Sequence, residues 1–269
     1  MSLENKVNEL IEKTFVFSDI HYPDHDIKAL DVAEQVLKDW KPNRIVYIGD
    51  AYDATPVSHW LKDKKRKLEN KRLLKDYEGV QKMLNRHAQL AGKQLKEVVY
   101  MLGNHEDWIR EYIDCNPEVE GLIEIENHLK SPGKGIKFKM IPYIGRDRIF
   151  KVGKLYLIHG EYTNQYHASK TVNVYDRNIM YGHVHSVQEA GKVSPVDVED
   201  RHMAVSIGSL CNKNPDYGEG KPNAWVHAFA LVLTKDDKLF NHYVIRINDG
   251  VSIAPWGKVY RGKNESKHY

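Results

Sequence analysis

Cysteine is nearly absent: Cys115 and Cys211 are the only two in 269 residues, and they stand in no CxxC spacing. That argues against a disulfide framework and a thiolate-held metal site, and it fits a reducing cytosol. Long apolar runs are missing too. No stretch approaches the about 18 uninterrupted apolar residues of a membrane span, so no membrane association is expected. The N-terminal MSLENKVNELIEK carries Leu3, Val7, Leu10 and Ile11 at helical spacing, but charges interrupt it throughout and it lacks the apolar core of a signal peptide. SPGKGIK and VYRGKNES contain Gly and Lys without completing the G-x-x-x-x-G-K-[ST] pattern of a phosphate loop. Internal repeats and low-complexity linkers are absent. The sequon Asn264-Glu265-Ser266 carries no weight in a cytoplasmic chain.

What is present is the composition of a soluble globular protein, 41% hydrophobic and 29% charged. The length fits one large layered domain spanning residues 1–269, with an insertion at about residues 57–93. Charge is concentrated there. Residues 62–96 hold 12 Lys/Arg against 4 Asp/Glu, although the whole chain carries only +3.

KTFVFSD, NRIVYIGD and KEVVYMLGN are β-branched apolar runs that end in Gly, Asp or Asn, and DIKALDVAEQVLKDW between the first two has helical periodicity. This is the pattern of buried parallel strands feeding loops at their C-terminal ends. Leu61, Leu68, Tyr77, Leu84 and Leu90 predict one or two long helices in the insertion. From about residue 136 short alternating runs, among them IKFKMIPY, RIFKVGKLYLIHG, HMAVSIGSL and WVHAFALVLTKDDKLFNHYVIRI, predict a second, mainly antiparallel sheet with a hairpin turn at KDDK. The expected fold class is therefore α/β, a two-sheet sandwich flanked by helices.

Polar residues gather where these strands end. Asp19 and His21 stand two apart, which on a strand points both to one face. Asp50 ends the second strand. Asn104 and His105 follow the third, His159 follows KLYLI, and His183 and His185 repeat the i, i+2 spacing. A lone strand-end Asp commonly caps a helix, and a lone strand His is commonly a hydrogen-bonded core residue. The conjunction is different, because an open α/β sheet binds ligands at the carboxyl ends of its strands. A mixed N/O donor set suits Mn, Fe, Zn or Ni better than Ca.

DIH, GDAYD, GNHE, IHG and GHVH, in this order over residues 19–185, resemble the five signature blocks of the calcineurin-like metallophosphoesterases. The resemblance implies a four-layer α/β/β/α sandwich with a binuclear centre of two divalent transition-metal ions, Mn first among them. In it Asp19, His21, Asp50 and His185 hold one ion, and Asp50, Asn104, His159 and His183 hold the other, with Asp50 as the bridge. The pair would clamp a phosphoryl oxygen and activate a water for in-line attack. His105 would protonate the leaving oxygen or steady the phosphoryl group, with Asp53 orienting its ring and favouring imidazolium. The alternative for Asp53 is a turn cap.

Glu106 and Asp107 are expected to favour the first turn of the next helix, and Arg110 to pair with Glu106 at i, i+4. His25 resembles a substrate-side residue, while Asp26 fits a helix N-cap. Ala54 and Thr55 stand where protein Ser/Thr phosphatases and symmetrical dinucleoside tetraphosphatases have Arg-Gly, and Leu102 where the protein phosphatases have Arg. Both groups are therefore disfavoured. GSLCNKNPDY followed by WVHAFALV is more similar to small phosphoesterases of phage and bacteria, implying the cytoplasm of a bacterium or a phage-infected host.

Three functions are compatible with these residues. The first is a phosphodiesterase of nucleic acid or nucleotide diesters, reached through phosphate contacts from the basic insertion, with Tyr22, Tyr52, Trp60, Trp108 and Tyr217 as candidate stacking surfaces. The second is a phosphomonoesterase of small metabolites. The third, a non-catalytic binding protein on the same fold, fits least because no ligand position is missing. A solvated helix is the alternative for the insertion. The oligomeric state is left open.

Overall fold

The computed structural model describes residues 11–61, 63–215, 222–236 and 238–264. Four parallel strands, β1 (Ile11–Phe17), β2 (Arg44–Ile48), β3 (Glu97–Met101) and β4 (Lys137–Ile141), form the centre and one edge of the first sheet. Helix α1 (Ile27–Trp40) connects β1 to β2, and α2 (Leu73–Ala91) precedes β3. Asp26 caps α1 by accepting the Ala29 amide at 2.8 Å, as its position before the apolar periodicity implies. Helices α3 (Asn104–Cys115) and α4 (Ile125–His128) lie between β3 and β4.

The second sheet has the order β5 (Phe150–Val152), β6 (Leu155–Ile158), β7 (Asn178–Tyr181), β9 (Arg201–Ile207), β8 (Val187–Val193), with α5 (His167–Tyr175) between β6 and β7. The hairpin β10 (His227–Lys235) and β11 (Leu239–Ile247) completes the first sheet in the order β11-β10-β1-β2-β3-β4. A short ribbon, β12 (Val251–Ile253) with β13 (Val259–Arg261), reaches α1 through a Gln35 bond to the Arg261 carbonyl at 2.8 Å.

Alternation along the strands sorts the residues into layers. Phe15, Phe17 and Tyr47 face α1 and α2, where they pack with Leu30, Val36, Val80 and Leu84. Val16, Val46 and Val99 face the other way and meet Leu157, Met180 and Val205 of the second sheet. Val172 of α5 closes the outer face over Ile158 and Ile179. The result is the expected α/β/β/α sandwich.

Three expectations about elements are corrected. The second sheet is mixed, with β6, β7 and β9 parallel and only its two edge pairings antiparallel. IKFKMIPY supplies β4 and WVHAFALV supplies β10, so both belong to the first sheet; β10 pairs antiparallel with β1, Ile11 opposite Lys235. The KDDK hairpin does form, although Asp237 lies outside the described residues. At the N-terminus, Ile11 opens β1 rather than continuing a helix, and Leu3, Val7 and Leu10 lie outside the described residues.

The basic segment holds one long helix and three short 3-10 turns, Thr55–Val57, His59–Leu61 and Lys65–Leu68. Consecutive Lys64, Lys65, Arg66 and Lys67 put like charges a turn apart, which opposes an α-helix there. Helix α2 buries Tyr77, Val80, Met83 and Leu84, while Lys75 and Lys82 are exposed.

Candidate metal centre

The strands of both sheets deliver the seven expected donors to one end of the sandwich, by a backbone route that strand alternation does not describe. Asp19 and His21 lie beyond β1, Asp50 beyond β2, and His183 and His185 beyond β7, all five in the left-handed region with φ of 47°, 56°, 49°, 69° and 55°. Each such non-glycine residue carries about 1–3 kcal/mol of strain. The surrounding packing must hold them there. Asn104 opens α3, and His159 directly follows β6.

Close approach explains two of the neighbouring glycines. A Cβ on Gly103 would overlap the Asp50 carboxylate, and one on Gly182 would overlap Ser18 and Asp19. The ligand loops are therefore packed backbone against carboxylate.

The donors form a continuous chain. Asp19 Oδ1 lies 3.2 Å from His185 Nε2, which lies 3.3 Å from His21 Nε2. Asp50 Oδ2 follows at 3.8 Å from His21 Nε2 and 3.3 Å from His159 Nε2, and Asn104 Oδ1 is 2.9 Å from the latter. His183 joins Asp50 and His159 with ligand atoms within 4.8 Å of one another.

Bonds on the far side of each ring decide which nitrogen faces inward. His21 Nδ1 donates to Asp53 Oδ1 at 2.7 Å, and His159 Nδ1 donates to the Ile48 carbonyl at 2.9 Å. Cys211 Sγ lies 3.4 Å from His185 Nδ1. The Nε2 atoms thus converge, and the lone pairs of His21 and His185 oppose one another unless a cation or proton lies between them. With Asp19 and Asp50 both buried beside them, this N/O set fits divalent transition-metal ions.

His105 stands beside the cluster, its Nε2 4.0 Å from Asp50 Oδ2. Its Nδ1 donates to the Asp53 carbonyl at 2.8 Å, and the Asp53 carboxylate is 3.3 Å away. Asp53 therefore orients two rings, His21 and His105, the first of which was not expected. Burial pushes the His105 imidazole down, but Asp50 and Asp53 outweigh it and lift the group to about 9. Burial likewise raises Asp50, yet His159, His105 and His21 hold its carboxyl well below the ordinary range.

Glu106 serves the first turn of α3 as expected, standing at N3 with its carboxylate on the N-cap Gly103 amide, but it also reaches further. It turns inward, accepting the amides of Gly103 at 2.8 Å, Asp50 at 3.0 Å and Tyr52 at 2.9 Å, and the Tyr100 hydroxyl at 2.9 Å. Burial and the nearby Asp50 charge raise its carboxyl to about 7, with the amides pulling the other way. Arg110 consequently pairs with Asp107 at 2.8 and 2.9 Å and with Asp114 at 2.8 Å, not with Glu106.

Two further residues at the site carried no signal in the sequence. Cys211, buried, backs His185, and the Trp225 ring lies 4.3 Å from the His185 ring. Of the aromatic candidates, Trp108 packs 3.9 Å from the His105 ring, Tyr22 stacks on His25, and Tyr52 is buried with its hydroxyl 3.4 Å from Asp76. The Trp60 side chain and Tyr217 lie outside the described part. A cavity of about 530 Å³ opens over the centre, running from His21, Asn104 and His105 past Trp108 to Lys64 and Lys71. His25 does not line it.

The four layers and the histidine–carboxylate cluster together define a metallophosphoesterase scaffold. A profile of the calcineurin-like phosphoesterase family matches residues 13–211, and the chain belongs to that family. Among solved structures it is similar to Vacuolar Protein Sorting 29 of Entamoeba histolytica complexed with zinc, at 14% identity over 93% of this chain and 97% of that one, TM-score 0.43. Vacuolar Protein Sorting 29 of Cryptosporidium parvum aligns at 12% identity over 94% and 99%, TM-score 0.44. YfcE, a phosphoesterase from E. coli, aligns at 16% identity over 88% and 100%, TM-score 0.36. No curated protein matches the chain. Among the described residues no helix is long and apolar enough to cross a membrane.

Proposed function

We propose that this chain is a binuclear-metal-dependent phosphoester hydrolase whose substrates are phosphodiesters of nucleotides or nucleic acid. The position of Asp50 carries the reading: its Oδ2 lies between His21 Nε2 at 3.8 Å and His159 Nε2 at 3.3 Å, joining the two groups of donors. Asp19, His21, Asp50 and His185 would hold one ion and Asp50, Asn104, His159 and His183 the other, with Mn first among the metals. When bound, such a pair supplies Lewis acidity toward a phosphoryl oxygen and a water of lowered pKa.

The protein's own groups complete the chemistry. His105, its Nδ1 donating to the Asp53 carbonyl with the Asp53 carboxylate 3.3 Å away, would present a protonated Nε2 toward the cavity. As the bond from the water oxygen to phosphorus forms and the bond to the leaving oxygen breaks, that proton passes to the leaving oxygen. Glu106 holds the Asp50 backbone in its left-handed turn.

Charge supports a diester over a monoester. No arginine lines the cavity among the described residues, and Lys71 is already paired with Asp24 at 3.0 Å. Beyond the metals, Lys64 and His105 are the remaining cationic groups in the lining, and a diester, which brings one negative charge, asks less of them than a terminal phosphate dianion. In this reading residues 1–269 act as one cytoplasmic domain, with residues 57–93 as its basic flank.

Parallel assays of bis-p-nitrophenyl phosphate and p-nitrophenyl phosphate with Mn²⁺-loaded protein test the reading. The diester is expected to be preferred. Asp50→Asn is expected to abolish turnover and lower bound metal, and His105→Ala to slow turnover by about 10²-fold with metal content intact. Preference for the monoester would favour the phosphomonoesterase alternative.

A further inference from the structure

The cavity is of small-molecule size. Its volume of about 530 Å³ lies inside the roughly 300–1,000 Å³ range of ligand pockets. The 3-10 turns between Thr55 and Leu68 bound one side of it, with Thr55, Ser58, Leu61 and Lys64 in its lining. Helix α2 buries one face in the core.

The wall next to the reacting end is aromatic and apolar. Trp108 stands one helical turn from His105 on α3, which puts both on one face, and their rings lie 3.9 Å apart at 35°. Trp108 is half-buried and lines the cavity beside Leu61. Its indole N–H has no hydrogen-bond partner among the described residues. The charged neighbours on α3 are turned elsewhere, Asp107 being held by Arg110. At the rim Lys71 is paired with Asp24 and Lys64 is the other lysine of the lining, while Lys75 and Lys82 are exposed on α2.

We infer that the Trp108 wall is a nucleoside subsite, stacking the base carried by the leaving group, so that the substrate is a diester of mononucleotide or dinucleotide size rather than a duplex. This rests on the hydrolase reading above. His105 serves the leaving oxygen, and the group beyond that oxygen extends along the wall His105 shares with Trp108. A flat, polarisable base matches the face of an indole.

Steady-state kinetics of the Mn²⁺-loaded full chain decide the matter with five substrates: the dinucleotide TpT, its two analogues lacking one base, a 12-base-pair duplex, and bis-p-nitrophenyl phosphate. Removing the base on the leaving side should raise KM about tenfold, the scale of one base–aromatic stack, with a much smaller change in kcat. Trp108→Leu should raise KM for TpT similarly and erase the difference between TpT and its analogue, and Trp108→Phe should restore it. Equal KM values for TpT and both analogues in the wild type would overturn the subsite. Duplex turnover with kcat/KM equal to or above that of TpT would overturn the size limit. If Trp108→Leu does not fold, the wild-type comparison still decides. Failure to hydrolyse any diester, bis-p-nitrophenyl phosphate included, would instead remove the hydrolase reading itself.

Discussion

The Nε2 atoms of His21 and His185 face each other across 3.3 Å, and Asp19 Oδ1 lies 3.2 Å from the second of them. With His21 Nδ1 donating to Asp53, the two Nε2 atoms need a proton or a cation between them, and a divalent ion would meet both and the Asp19 carboxylate at once. Divalent metal should therefore stabilise the fold. At a metal concentration 100 times Kd the gain is about 2.7 kcal/mol, or about 5–10 °C for a chain of this size. Thermal melts of chelated protein with and without Mn²⁺ or Zn²⁺ measure it. Identical melting curves would count against the centre.

Gly103 lies against Asp50 so closely that a Cβ would meet both its carboxylate and its backbone nitrogen. Gly103→Ala should displace the proposed bridging ligand and reduce turnover by about 10²-fold, the scale of an ångström-level misplacement. Comparing kcat and bound metal in the two proteins checks this. An unchanged kcat would show that Asp50 tolerates the shift.

That these seven candidate donors gather at one end of the sandwich was legible in the sequence, because they follow strands whose apolar runs end abruptly. What each residue does there was less so. The helical pattern of NHEDWIREYIDC does not say that Glu106 turns inward, since that depends on amides of two other loops. Similarly, β10 reads as a strand from its own composition, yet only its pairing with β1, some 220 residues earlier in the chain, assigns it to the first sheet. Strand identity is local and sheet membership is not. Asp19 and His21 reach one face through left-handed turns, which sequence spacing alone does not reveal.

Beneath α2, Glu34 is buried and held by Arg86 through two bonds of 2.8 and 2.9 Å. Removing the guanidinium leaves a carboxylate in the core with its main countercharge gone. Arg86→Ala should destabilise the protein by about 3–5 kcal/mol, measurable by urea denaturation. A loss under about 1 kcal/mol would place the pair among weak surface contacts.

Burial holds the His25 imidazole down at about 4, with Asp26 and Glu34 partly offsetting it and His87 adding to it. An unfolded chain binds that proton near 6.5, so between the two values it binds more protons than the native state. The stability involved is fully present above pH about 6.5 and is lost as pH falls toward about 4, in all about 3 kcal/mol. His25→Gln should flatten this part of the stability profile relative to the wild type. Parallel profiles would show that His25 titrates normally.

The central claim is that Asp50 joins two metal-holding groups for phosphodiester hydrolysis. It is tested most directly by following bis-p-nitrophenyl phosphate hydrolysis while Mn²⁺ is titrated into chelated protein. The account predicts a rate that climbs from the uncatalysed background to a plateau at two equivalents per chain, with no climb in Asp50→Asn. A rate independent of metal, or an Asp50→Asn titration that matches the wild type, would contradict it.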